Sequence, residues 1–247
     1  MLSKTFFLFL LQLIFISMFA QKSNTENRFD GYIVYSDGTK KEGILEVEDA
    51  SLPWSFQENV KYFDKSLLSA GRVKREQKIN CVPGEIIEYG FDNRKFTYVS
   101  YYIKSADEDN ILKSTYSKIK GDKNTDFFAE VFRNGKISLL KFYIPPVISE
   151  EDYDNEVKMK ELTEKSKTTF DILITREGEK PKSIDDINIK SFFKDCPYIV
   201  EKFNNGKYKI KPGKSLKAIF KSEKMPREKL QDSATEILTD YETKCNG

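Results

Sequence analysis

From Phe29 onward, apolar and polar residues alternate in short runs separated by pairs of turn-forming residues. A period of two with Asp-Gly, Pro-Gly and Asn-Gly punctuation predicts strands joined by tight turns, hence a largely antiparallel sheet. Gly31–Tyr35 and Lys41–Glu48 flank the turn SDGT, and Ile79–Val82 and Ile86–Phe91 flank Pro83-Gly84. KFTYVSYYI gives a further strand over Lys95–Ile103, and FDILITREG another over 170–178.

The clearest hairpin is FFAEVFRNGKISLLKFYI. Asn134-Gly135 suits the two positive φ angles of a type I′ turn, which would set Phe132 opposite Ile137, Val131 opposite Ser138 and Ala129 opposite Leu140. One face then carries Phe127, Ala129, Val131, Leu140, Phe142 and Ile144 and should be buried. The other mixes Phe128, Phe132, Ile137 and Leu139 with Glu130 and Lys141, so it needs a cover that the C-terminal third of the chain can supply.

Between hairpin and cover lies EEDYDNEVKMKELTEKSK, residues 150–167, with acids leading and lysines trailing. That order suits either a solvated helix whose dipole is complemented or a charged loop. The adjacent carboxylates Glu150 and Glu151 read as surface groups, because nothing apolar surrounds them to shift a pKa.

After Ser183, an N-cap with Asp186 three residues on, the apolar period lengthens to that of a helix. Phe192, Cys196, Ile199, Val200 and Phe203 form one stripe, Pro197 divides it into two short helices, and Asn205-Gly206 ends it. Behind Pro226, the residues Leu230, Ala234, Ile237, Leu238 and Tyr241 recur at helical spacing, and Cys245 lies one turn further along that face.

The first residues, MLSKTFFLFLLQLIFISMFAQKS, change the picture from fold to location. Lys4, an apolar run to Ile16 and the small-residue step ending at Ala20 predict a secretory signal peptide cleaved after Ala20. Gln21 would then begin the mature chain, so no cysteine is offered there for lipid attachment, and no second apolar segment follows that could span a membrane. Loss of the segment removes Lys4 and no acid, taking the formal charge from +2 to +1. Such a balance points to no nucleic-acid partner.

The chain contains no histidine. That excludes the usual serine and cysteine triads, histidine zinc sites and the commonest general base near neutral pH. Cys81, Cys196 and Cys245 lack the close spacing of a thiolate zinc site. No catalytic residue, metal or cofactor is therefore predicted. Two fragments imitate catalytic motifs: Gly213-Lys214-Ser215 ends like a phosphate-binding loop but has Tyr208 where that motif needs glycine, and Ser191/Lys194 fits Ser-x-x-Lys without its partner motifs.

Residues 207–229 hold nine Lys/Arg against two Glu. Lys214, Lys217, Lys221 and Lys224 would line one side of a helix as a candidate site for polyanions such as anionic glycans or lipopolysaccharide phosphates. The plainer reading is that these lysines solvate an amphipathic helix. Export also decides the cysteines: disulfides persist outside the cytosol, and Cys196 and Cys245 lie on apolar helical faces that must turn toward one core. The expected pair is Cys196–Cys245, with Cys81 a small buried apolar residue of the sheet. The competing expectation is three free thiols.

GYIVYSDGTKKEGIL, FTYVSYYI, FFAEVFRNGKISLL, the DCP of the helical region and the final Tyr-x-x-x-Cys together resemble a family of exported bacterial proteins of unassigned function. In that family the first turn usually runs Gly-Asp-Thr, where this chain has Asp37-Gly38-Thr39. The resemblance implies a β-rich envelope domain with a C-terminal helical tail, and no active site.

The expected protein is α+β. It comprises a signal peptide over 1–20, a linker over 21–28, an antiparallel β-sheet or open barrel over 29–178 with a charged insertion at 146–167, and a helical cap over 184–247. Its expected role is that of an exported binding or structural module, periplasmic, cell-surface or secreted, with an envelope component as partner. The alternative is an exported hydrolase that attacks glycans with carboxylates alone.

Overall fold

The computed structural model describes residues 26–69, 71–102, 124–145, 154–208 and 227–245. The signal segment and the ridge lysines Lys214, Lys217, Lys221 and Lys224 lie outside the described residues, as do Glu150, Glu151 and Pro226.

Among the described residues, ten antiparallel strands form one open sheet. They are β1 (Arg28–Tyr35), β2 (Lys40–Glu46), β3 (Val60–Phe63), β4 (Ile79–Cys81), β5 (Ile86–Phe91), β6 (Arg94–Tyr102), β7 (Asn124–Arg133), β8 (Ile137–Tyr143), β9 (Phe170–Arg176) and β10 (Lys182–Ser183). Their spatial order is β10-β9-β8-β7-β6-β5-β1-β2-β3-β4. Two meanders, β1–β4 and β5–β10, thus meet along a seam between β1 and β5.

Pro83-Gly84 does not close a hairpin, because β4 pairs with β3 while β5 pairs with β1 and β6. In a flat sheet β4 and β5 would stand four strand spacings apart, about 19 Å. The chain between Cys81 and Ile86 could reach about 17 Å at full extension. It is not extended, since Ile86 N–H bonds the Val82 carbonyl at 3.2 Å and Gly84 takes φ +97°. The first five strands must therefore curl until β4 returns toward β5, where a lone bridge joins Pro83 to Ile86. Gly31 and Gly43 are paired across β1 and β2. A Cβ on Gly31 would fall 2.3 Å from the Gly90 carbonyl oxygen.

The β7–β8 hairpin departs from the expected register. Val131 faces Leu140 and Glu130 faces Lys141, and a bulge lies between Val131 and Arg133. Gly135 is not among the glycines at positive φ; the two-residue turn with both φ angles positive is Asp92-Asn93, at 46° and 64°, between β5 and β6. The bulge aims Arg133 at the last helix, where its guanidinium meets Glu242 at 2.6 Å and Thr239 at 3.1 Å. The register moved by an even number of residues, so each side chain kept its face. Phe127, Ala129, Leu140, Phe142 and Ile144 form one buried cluster, as expected of the first face.

The opposite face is covered by helices, and its core joins Ile137, Leu139, Ile172 and Ile174 of the sheet to Phe193, Ile199, Phe203, Leu230, Ile237 and Leu238. The charged stretch forms α1 (Glu156–Thr168), started by the Asn155 side chain accepting from Lys158 N–H. Ser183 makes no capping hydrogen bond and precedes only a 3-10 turn, Ile184–Asp186. Asn188, not Ser183, caps α2 (Ile189–Phe192), by accepting from Ser191 N–H. Pro197 opens α3 (Pro197–Asn204), which ends at Gly206 with φ +65°. α4 (Arg227–Lys244) buries Leu230, Ser233, Ala234, Ile237, Leu238 and Tyr241.

Candidate functional site

Sequence placed Cys196 on the inner stripe, and it is the fully buried N-cap of α3. Its sulfur lies at disulfide distance from that of Cys245, just past α4, with the two Cα atoms 5.5 Å apart at a sequence separation of 49. Cys81 is a free, buried thiol of β4, and burial pushes its pKa up to about 12, away from thiolate chemistry.

Beside the disulfide stands a polar group that sequence reading passed over. Asp195 accepts both arms of the Arg176 guanidinium at 2.9 Å and the Tyr241 hydroxyl at 2.6 Å. Arg176 also donates to the Phe192 carbonyl at 2.7 Å and to the Tyr241 oxygen at 3.0 Å. Burial works to raise the Asp195 pKa, but the Arg176 and Tyr241 hydrogen bonds outweigh it and hold the carboxyl below its usual value. The cluster ties β9, the loop before α3 and α4 together. Tyr241 was legible only as one more apolar-stripe residue; a tyrosine at the end of such a stripe needs a partner for its hydroxyl, and that was the available signal.

Arg176 and Asp195 form one wall of an open cleft of about 500 Å³, completed by Glu179, Lys182, Asp186, Asn188, Ser191 and Lys194. Ser191 and Lys194 of the Ser-x-x-Lys fragment both line it, but the Ser191 hydroxyl donates to the Asn188 carbonyl at 3.1 Å and works as a helix-end group. A second open cleft, of about 420 Å³, lies on the sheet near the Asp92-Asn93 turn, with Asp30, Tyr32, Glu42, Lys65 and Lys95 around it. Both are polar and mixed in charge. Among the described residues no group of three Cys, Asp or Glu side chains is placed to hold a metal ion, and no helix is long and apolar enough to cross a membrane.

The third polar feature lies between two cores on one face of the sheet. The segment from β2 to β3 crosses that face with a 3-10 turn, Pro53–Phe56. Trp54 packs against the helical core, and Phe56 is buried in the core of the curled strands. The next residue, Gln57, enters the gap where β7 and β8 part. Its carbonyl accepts from Phe128 N–H of β7 at 2.7 Å, and its amide donates to the Tyr143 carbonyl of β8 at 2.7 Å while accepting from Tyr143 N–H. Continuing the register of Glu130 and Lys141 would have set Phe128 opposite Tyr143, so Gln57 takes the place of that missing rung. Glu130 borders the wedge and binds Arg94 at 2.8 Å and the Tyr143 hydroxyl at 2.7 Å.

No family model, curated protein or solved structure matches the chain.

Proposed function

We propose that the chain is an exported binding or structural module of the bacterial cell envelope, of the kind its sequence resembles, with a helical layer whose last helix is fastened covalently to the start of α3. The observation that carries this reading is the Cys196–Cys245 pair, because a disulfide that closes a 49-residue separation is at home in an oxidising compartment. The signal-like segment over 1–20 points the same way. The side chains that would do chemistry serve instead as fasteners. The carboxylates Glu46 and Asp195 are both held below their usual pKa, Glu46 by Lys78 and Arg28 against the opposing effect of burial. A glycan hydrolase of the carboxylate type needs one acid held high, so these two supply no general acid.

The partner in this reading is an envelope polyanion, an anionic glycan or lipopolysaccharide, held by Lys214, Lys217, Lys221 and Lys224. The test uses the oxidised mature chain, begun at Gln21, on a lipopolysaccharide matrix. Retention that falls with salt and weakens when all four lysines become glutamine supports the reading. Retention unchanged in the quadruple variant removes the ridge from it. Recovery of the unprocessed protein from the cytosolic fraction overturns export.

A further inference from the structure

The open cleft beside Arg176 has one wall in β9 and the turn that follows it, and the other in the 3-10 turn and α2 that begin the helical layer. Its volume of about 500 Å³ gives room for one sugar-sized molecule. The charges that line it balance in number but not in use. Both oxygens of Asp195 are taken, by Arg176 and by the Tyr241 hydroxyl, and Asp186 is engaged as well. The donors are less fully spent. The terminal nitrogens of Arg176 bond Asp195, Tyr241 and the Phe192 carbonyl, but among the described residues its Nε–H has no partner. Among those residues the Lys194 amine likewise has no hydrogen bond and no ion pair, and Lys182 reaches Glu179 only at 3.7 Å. The Asn188 side-chain oxygen accepts from Ser191 N–H at 3.2 Å, which leaves its amide nitrogen as a further donor.

What the cleft has left to offer is therefore mainly N–H groups, most of them on cations. A carboxylate is the group such donors recognise, because a hydrogen bond between a cation and an anion is shorter and stronger than one between neutral partners. Arg176 is already fixed by Asp195, so it need not be ordered when a ligand arrives. Two other features describe the rest of the ligand. Glu179, tied only loosely to Lys182, supplies an acceptor for a hydroxyl. Phe192 lines the cleft with its ring centre 5.0 Å from the Arg176 guanidinium and is only half-buried, so part of its ring is free for C–H contact.

We propose that this cleft binds one hexuronate unit of an anionic glycan. The carboxylate accepts from Arg176 Nε–H and the Lys194 amine, hydroxyls meet Asn188 and Glu179, and the C–H face of the ring lies against Phe192. The inference rests on the reading above for the class of partner, and it adds a site separate from the ridge of Lys214, Lys217, Lys221 and Lys224. The ridge would hold a polyanion by summed charge, whereas the cleft would recognise a single unit by its carboxylate and hydroxyls together.

The test titrates galacturonate into the oxidised mature chain at fixed ionic strength and follows backbone amide chemical shifts by NMR. Saturable shifts are expected at Arg176, Asn188 and Lys194. Lys194→Gln, which removes the cation without breaking any contact that holds the fold, should weaken binding about tenfold, the effect of losing one charge-assisted hydrogen bond. Lys160→Gln on α1 should leave it unchanged. Galactose, which lacks the carboxylate, should give no saturable shift, and trigalacturonate should move the same residues at no lower affinity than the monomer. The absence of saturable shifts in the cleft, an equal response to galactose, unchanged affinity in Lys194→Gln, or exclusion of trigalacturonate each overturns the proposal. None of these outcomes touches the ridge, whose own test is salt-dependent retention of lipopolysaccharide and its loss in the quadruple glutamine variant.

Discussion

Gln57 and Tyr143 are hydrogen-bonded twice, side-chain amide to main chain, and the main-chain carbonyl of Gln57 accepts from Phe128 N–H on the neighbouring strand. One residue therefore stands between two strands that are paired further along. Replacement of Gln57 by Glu presents an oxygen to the Tyr143 carbonyl. The variant should lose about 3 kcal/mol at neutral pH, the cost of a buried polar group deprived of its partner. The introduced carboxyl would have a raised pKa in the folded state, so the deficit should shrink as pH falls and grow as pH rises. Urea midpoints followed by Trp54 emission report it, because Trp54 rides on the same segment.

Removal of the disulfide by Cys196→Ser with Cys245→Ser should cost about 4 kcal/mol in the chain-entropy account of a loop this long. For a chain of this size that corresponds to roughly 10 °C in Tm. Helical content at room temperature should nevertheless persist, since α4 is also held by Lys202 with Asp240 at 2.6 Å, by Arg227 with Asp185 at 3.0 Å and by Arg133 with Glu242 at 2.6 Å. Circular dichroism before and after reduction measures this. Non-reducing peptide maps should link the Cys196 and Cys245 peptides and show Cys81 alkylated only after unfolding.

Asp195 and Glu46 both have depressed pKa values in the folded state. A depressed carboxyl contributes stability that is full above its unfolded pKa and lost as pH falls through its folded one. Thermal stability should accordingly decline below about pH 4, with little change from there toward neutrality from these two groups. Asp195→Asn should flatten the acid limb and lower the neutral-pH Tm. An unchanged acid limb would assign the decline to other carboxyls.

The turn residues divide sharply. Asn93→Val places a β-branched side chain at φ 64° and should cost about 1–2 kcal/mol, whereas Asn93→Gly should be neutral or stabilising. Gly135→Ala has no such backbone penalty. Its new methyl would approach the Glu242 carboxylate to 2.9 Å, so the expected loss is that of a shifted Arg133–Glu242 pair, under about 1 kcal/mol. Chemical denaturation of the three variants tests the assignment of both turns.

Periodicity exposed every strand except the short β3 and β10, together with the division at Pro197 and the apolar stripe of α4, because each depends on residues near one another in sequence. The faces of the β7–β8 hairpin were legible even though its register was not, since an even shift leaves side-chain direction unchanged. Asn134-Gly135 carried the usual turn signal, yet the bulge at Phe132 and the reach of Arg133 to α4 set the pairing, and those are tertiary effects. Pro83-Gly84 misled for a related reason: a short turn between two strands does not say that the two strands pair. Gln57, Asp195 and Glu130 gain their meaning from partners across the sheet or the cap, as with Gln57 and Tyr143, 86 residues apart. No local window contains such a pair.

The seam between β1 and β5 sets Gly31 beside Phe91 and Tyr32 beside Gly90, some sixty residues apart in the chain, while nearly every other rung joins consecutive strands. Made before the strands between them are paired, that contact would close the longest loop in the sheet at the largest entropic cost, so it is favoured only once those strands are in place. The two meanders can each zip locally. Their joining sets the pace of folding, and until it happens β1 and β5 each present an unpaired edge to neighbouring chains.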